Sequence, residues 1–218
     1  MNKKSFVYIG FSLMMANLNA EDLIMSNRKS QYKVSDIIIN RWSPYTMSGE
    51  PISDDELMSL FEAARWAPSS FNNQSWRFLY SLKDSESWDT YFNLLLEGNK
   101  TWVKNAGALV VILSKTTFDY NGKPAKTHAF DSGAAWQNFA LQGSINELVI
   151  HGMQGFDYDK AKSELQIPGE YEVQAMAAIG KPGDPNDLPE GLREKDIPSG
   201  RKNVSEIAIE DASLLKTD

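Results

Sequence analysis

Residues 106–113 read Ala-Gly-Ala-Leu-Val-Val-Ile-Leu, a continuous apolar run rich in β-branched side chains and lacking polar alternation. Such a run is the pattern of a strand covered on both faces, because a half-exposed strand alternates polar with apolar residues. The rest of the chain must then supply a layer for each side. At 218 residues it is long enough for one well-buried core of this kind and marginal for two.

The flanking periodicity supplies those layers. Val34, Ile37 and Ile38 fit one face of a short helix that ends at Asn40-Arg41-Trp42-Ser43-Pro44, where proline forces the chain extended. Ser53-Asp54-Asp55-Glu56 is a capping box, and Leu57, Leu60, Phe61 and Ala64 follow at helical spacing to about Trp66. Pro68 stops that helix, and Trp76 to Leu82 reads as a buried strand. A second helix is expected from Ser85 to Leu96, breaking at Gly98, and a long buried one over Asp131 to Glu147. Gly152 and Gly155 mark a loop, Asp157 can cap a helix to Leu165, and Val173 to Ile179 reads as a further strand. From Gly180 to Gly200 four glycines and four prolines imply an irregular excursion of the length used for binding surfaces. The expectation is a mixed α/β or α+β domain without internal repeats.

Composition narrows the chemistry. With 22 basic against 29 acidic residues the net charge is -7, which disfavours nucleic acid and anionic membranes as partners. No cysteine is present, so disulfides, thiolate nucleophiles and iron–sulfur clusters are excluded, and two histidines, His128 and His151, are too few for an all-histidine metal site. Redox chemistry in such a chain has to come from a bound organic cofactor. No Gly-x-Gly-x-x-Gly, no Gly-x-x-x-x-Gly-Lys-Ser/Thr and no Gly-x-Ser-x-Gly is found.

At the amino terminus, Lys3 and Lys4 precede the apolar stretch Phe6 to Met15, and Ala20 could end a leader. Two readings stand: residues 1–24 are a signal peptide, or the start is mis-assigned and Met25 begins the chain. The domain is expected over 25–218, cytoplasmic on the second reading and exported on the first. The apolar run is short of the ~20 residues a membrane span needs.

Three polar segments remain, each at the end of a helix or strand. They are Arg41-Trp42-Ser43, then Ala67-Pro68-Ser69-Ser70-Phe71-Asn72-Asn73-Gln74-Ser75-Trp76, then Pro198-Ser199-Gly200-Arg201-Lys202. In this order the sequence resembles the FMN-dependent nitroreductase family, which opens with Arg-x-Ser, follows with Ala-Pro-Ser-(x)-x-Asn-x-Gln-Pro-Trp and closes with an arginine. Glu62-Ala63-Ala64-Arg65, Gly98-Asn99-Lys100-Thr101-Trp102, Asp131-Ser132-Gly133 and His151-Gly152-Met153-Gln154-Gly155-Phe156-Asp157 extend the similarity from about Val34 to Ile209.

The resemblance implies a nitroreductase-like α+β fold with a central mixed sheet flanked by helices, assembled as a homodimer with two FMN sites. The implied cofactor-binding residues are Arg41, Trp42, Ser43, Pro68, Ser69, Ser70, Asn72, Asn99, Met153, Gln154, Gly155 and Arg201, with no catalytic side chain and no metal ligand. Arg41 and Arg201 would hold the FMN phosphate, since a chain of net charge -7 needs local guanidinium groups to do so. Asn72 and Asn99 would serve the amide-like edge of the flavin, and a backbone amide at Gln154–Gly155 its N5. The segment Pro68 to Asn72 would come from the partner subunit. The implied activity passes hydride from NAD(P)H through FMN to a nitroaromatic, quinone or similar acceptor, with a flavin-sequestering protein and a cofactor-free interaction domain as the alternatives.

Three positions depart from the family pattern. Tyr45 stands where many members carry a basic residue, Ser75 replaces the proline before Trp76, and Trp102 aligns where a lysine is common, with Lys100 and Lys104 nearby. Asn203-Val204-Ser205 is formally a glycosylation sequon. Trp42, Trp66 and Trp76 are expected in core or interface packing, and His151 as a structural histidine.

Overall fold

A computed structural model describes residues 28–215; the leader expected at residues 1–24 lies outside them. The described chain divides into two compact units, one of residues 28–40 with 197–215, the other of residues 41–196.

In the larger unit, residues 108–115 do form the covered strand. β1 (Trp76–Leu82), β2 (Ala108–Lys115), β3 (Val149–Met153) and β4 (Tyr171–Gly180) make a sheet of order β1-β2-β4-β3. All three ladders are antiparallel, so the α+β class holds while the described sheet is antiparallel rather than mixed. The physical reason is that β1 to β2 and β3 to β4 each reverse direction across helical connections that return on one side of the sheet. Strand β2 pairs with the whole length of β1 (Trp76 opposite Ser114, Leu82 opposite Ala108) and with β4, where the register shifts between Ile112 and Leu113.

Alternation along β2 then splits the core. Leu109, Val111 and Leu113 belong to one apolar cluster and Ala108, Val110 and Ile112 to another. The second is covered by α2 (Asp54–Arg65) and α5 (His128–Ile145), through Leu57, Leu60 and Ala64 against Ala135, Phe139 and Ala140. The first is covered by α3 (Trp88–Phe92), α4 (Glu97–Val103) and α6 (Tyr158–Glu164), which bring Tyr91, Trp102, Val103 and Ala161. Each fully buried Leu, Ile or Val adds about 1.5–3 kcal/mol relative to exposure.

Local signals hold where the chemistry is local. Ser53 caps α2 and Glu56 returns the bond, which lowers the Glu56 carboxyl below its ordinary value. Asp157 caps α6 by accepting from the Lys160 amide. Three expectations are corrected. Ser85 to Leu96 is not one helix, because buried Leu94 and Leu95 turn into the core, where Leu94 O accepts from Asp157 N and Leu95 bridges Phe156. Gly98, expected as a break, lies inside α4. Residues 149–153, hidden by Gly152, are a strand, because pairing with β4 outweighs glycine's weak strand propensity. Between Gly180 and Gly200 the chain is irregular except for a 3₁₀ turn at Pro185–Asp187 and α7 (Glu190–Arg193).

In the smaller unit, α1 (Asp36–Asn40) and α8 (Val204–Ile207) are short. Arg28 donates to Ile39 O and Ser199 O, and Gln31 bonds Asn203 and the Val204 amide.

Candidate functional site

The segment that begins at Arg41 is held by several pins. Arg41 Nη1 donates to Ser43 Oγ at 3.3 Å. His151 Nδ1 lies 2.8 Å from Pro44 O, and the carbonyl must accept, so the proton is on Nδ1. Buried Asp196 accepts from the Tyr45 amide at 2.7 Å and from the Thr46 hydroxyl, and Met47 bridges Pro182. The His151 ring lies 4.6 Å from the Tyr45 ring and 4.5 Å from Trp102. Tyr45 thus fills an aromatic nest and supplies no charge.

Burial pushes the His151 imidazole below its ordinary range, against the opposing pull of the Pro44 and Ser43 carbonyls and of Asp196. The unfolded chain therefore takes up a proton near pH ~6.5, while the folded chain takes it up only at lower pH. Between these values the unfolded state holds more protons, so stability rises with pH there. The His151 contribution is complete above pH ~6.5 and is lost as pH falls below it. Urea midpoints across this range should fall less steeply on acidification in His151→Asn than in the wild type; identical slopes would refute this.

The polar loop after α2 is wound tightly. Phe71, Asn72 and Gln74 have φ of 52°, 53° and 50°, the left-handed region that non-glycine residues seldom enter. Such conformations cost of order 1–3 kcal/mol each and persist only when the surroundings over-determine them. Here they do: the Ser70 amide donates to Asp131 Oδ2 at 3.1 Å, and the Gln74 amide to Ser69 Oγ at 3.0 Å. Asn73 adds bonds to Ser75, Thr117 O and the Asp119 amide. Asp131 is a buried carboxylate in the first turn of α5, so the loop is fastened to that helix end.

The chain leaving β3 is fastened to α4. Asn99 Nδ2 donates to Gly155 O at 2.9 Å, as does the Leu96 amide at 3.0 Å, while Asn99 Oδ1 accepts from the Trp102 indole at 3.3 Å. A Cβ on Gly155 would lie 2.6 Å from Asn99 Nδ2, so only glycine fits without displacing the amide.

Between β3, β4 and the start of α5 lies a cavity of about 430 Å³. Ser132, Gly133 and Trp136 line it from α5, Gly152, Met153 and Gln154 from β3 and its exit, and Gln174 from β4, with no Asp, Glu, Lys or Arg. Gly152 lies against the Trp136 ring, where a Cβ would come within 2.9 Å of it. Gln174 Nε2 bonds Ser114 Oγ at 2.8 Å, and Ser114 bonds His128 Nδ1 at 2.7 Å, which fixes the amide. Ser132 Oγ, in a residue 1% exposed, has no hydrogen-bond partner among the described residues. A buried hydroxyl without a partner is costly, so this one suits a polar atom of a bound molecule. An uncharged, largely apolar cavity with a few fixed polar groups suits a flat aromatic heterocycle. Among the described residues no group of His, Asp or Glu is arranged to hold a metal ion.

Of the sequence-predicted residues, Met153 and Gln154 line the cavity, Gly155 follows them on Asn99, Ser70 is tied to the α5 turn that carries Ser132, and Ser69 accepts from Gln74 within its own loop. Pro68 and Asn72 are exposed on that loop, and Trp42 is half-buried between Arg41 and Ser43. Arg201 belongs to the smaller unit, where one nitrogen donates to Ser199 and Gly200 carbonyls. Trp76 is buried, but Trp66 is 71% exposed and so not in the core, its indole bonded to Glu62 just past the helix end. Sequence reasoning missed Ser132, Trp136 and Gln174. The Asp131-Ser132-Gly133 motif held the signal for the first.

The sequence model of the nitroreductase family matches residues 38–100. A solved structure described as an oxidoreductase containing FMN is 38% identical, with a TM-score of 0.81 over 89% of this chain and 97% of that one. The protein DrgA of Synechocystis is 28% identical over 193 residues, 75% of this chain and 85% of DrgA. A nitroreductase family protein from Streptococcus pneumoniae shares the fold at 18% identity, with a TM-score of 0.62 over 78% of this chain and 96% of that one. The chain belongs to the nitroreductase family.

Proposed function

We propose that this chain is an FMN-dependent oxidoreductase that takes electrons from NAD(P)H and passes them to a nitroaromatic, quinone or similar acceptor. The observation that carries it is the uncharged, largely apolar cavity bounded by Ser132, Trp136, Met153, Gln154 and Gln174. An FMN-containing relative at 38% identity supports the cofactor. A relative from Polynucleobacter asymbioticus, 24% identical over 183 residues, carries the provisional name NADH dehydrogenase/NAD(P)H nitroreductase and supports the reductant.

When bound, the flavin supplies hydride acceptance from the nicotinamide and, in a separate half-reaction, onward transfer to the oxidant. The chain's own residues bind, orient and exclude. Arg41 and Ser43 would hold the phosphate, a charged fork beside a neutral hydroxyl. Ser132, Met153 and Gln154 would surround the ring system, and Asn99 fixes Gly155 so that the adjoining backbone amides keep one direction. No side chain need move a proton. Pro68 to Asn72 would serve the partner's site in a homodimer, and the exposed Phe71 and Phe130, at 78% and 80%, are apolar residues such an assembly would cover.

Purified protein should be yellow, with about one FMN per chain released on denaturation, and should sediment as a dimer. Colourless protein that takes up no added FMN would overturn the reading, and an active flavin-loaded monomer would overturn the shared site. Steady-state NAD(P)H oxidation with a quinone or nitroarene separates a reductase from a flavin-sequestering protein.

A further inference from the structure

Strand alternation places His151 with Val149 and Met153 on the face of the sheet that carries Trp102, opposite the face where Gly152 meets Trp136. One strand therefore serves two purposes. Gly152 lines the cavity on one face, while on the other His151 reaches the carbonyl of Pro44. His151 is not among the cavity-lining residues, so it is not placed to touch a ring bound there.

Its contact falls at a sensitive point of the chain. Proline has no amide hydrogen, so the carbonyl is the one backbone hydrogen-bonding group by which residue 44 can be tied. The residue before a proline is confined to extended conformations, which leaves Ser43 little freedom once Pro44 is fixed. Ser43 Oγ in turn accepts from Arg41. Fixing the Pro44 carbonyl thereby fixes the direction in which Ser43 and Arg41 are presented. Asp196 holds the next two residues independently, through the Tyr45 amide and the Thr46 hydroxyl, so the fold does not depend on His151 to keep this strand of chain in place. The imidazole is also braced, with Tyr45 and Trp102 rings each within 5 Å of it and 5.2 Å from one another. A braced ring with a single fixed donor suits positioning at sub-ångström tolerance.

We propose that His151 is a positioning residue that sets the Arg41–Ser43 segment for phosphate by donating its Nδ1 proton to the Pro44 carbonyl. The inference rests on the reading of that segment as the FMN phosphate site. His151→Asn keeps an amide N–H close to the place of Nδ1, whereas His151→Leu keeps volume without a donor. FMN and riboflavin affinities of the wild type and both variants, measured by flavin fluorescence at about pH 8, well above the ordinary imidazole range, test it. The leucine variant should lose roughly tenfold or more in FMN affinity. Its riboflavin affinity should stay within about twofold of wild type, because a ligand without phosphate does not use the segment. The asparagine variant should recover most of the loss. Equal weakening of both flavins, undiminished FMN binding by the leucine variant, or no recovery in the asparagine variant would overturn the proposal while leaving FMN binding by the wild type intact. Failure of the wild type to prefer FMN over riboflavin would instead overturn the phosphate reading itself. If the leucine variant does not fold, His151→Gln, whose amide extends past the Nδ1 position, replaces it, and asparagine should then outperform glutamine.

Discussion

Arg41→Ala should weaken FMN binding by about 1.5–3 kcal/mol, the range for a hydrogen bond to a charged group. That is a loss of roughly tenfold to more than a hundredfold. The chain carries a net charge of -7, so its long-range field opposes a dianion and the attraction has to be local. On the proposed reading Ser43 would contribute a neutral hydrogen bond, and Tyr45 contributes no charge, its ring packed against His151 and Trp102. Little redundancy is left to mask the loss. Riboflavin lacks the phosphate and should bind the variant almost as it binds the wild type. Arg41→Lys should restore part of the affinity but not all, since lysine keeps the charge and loses the bidentate fork. Equal weakening of FMN and riboflavin in Arg41→Ala would show that the guanidinium supports the fold rather than the phosphate.

The legible parts of the sequence were those where one residue type has one physical use. The run from Ala108 to Leu113 had to be a covered strand, and Ser53 with Glu56 had to start a helix. Strand β3 was illegible because Gly152 looks like a loop signal, and its reason for being glycine, the Trp136 ring lying against it, is sixteen residues away in sequence. The same distance problem applies to the cavity. Met153 and Gln154 were found through their motif, but Gln174 and Trp136 line the space only because β4 pairs with β3 and α5 packs across both. Asn99 was expected to face the cofactor. Its amide bonds Gly155 and Trp102, a supporting role that the sequence could not show because it depends on how α4 meets the exit of β3. His151 was expected as a structural histidine, but its partner could not be read from sequence, since a backbone carbonyl carries no side-chain signature.

The contact of α5 with the sheet should be the least tolerant of added volume. Gly143 is buried on α5, and a Cβ built there would lie 2.2 Å from Ile150 Cγ1 and 2.6 Å from its Cδ1. Ile150 is 2% exposed and packed in the cluster beneath α2 and α5, so its side chain cannot swing into solvent. Alanine is ordinarily better than glycine inside a helix by roughly 0.5–1 kcal/mol. Gly143→Ala should nevertheless destabilise the fold, because over-packing of this kind typically costs about 1–3 kcal/mol. Ile150→Ala alone should cost about 2–5 kcal/mol through the cavity it leaves. Together the two should cost less than the sum of the separate effects, since the new methyl occupies part of the space the isoleucine vacates and helix propensity then acts unopposed. Contacting residues commonly couple by about 0.5–3 kcal/mol, which urea midpoints of the four proteins can resolve. Strict additivity, or a stabilised Gly143→Ala, would mean that α5 can move off the sheet to admit a side chain. The small residue would then not be what sets the distance between the helix that carries Ser132 and the strand that carries Met153.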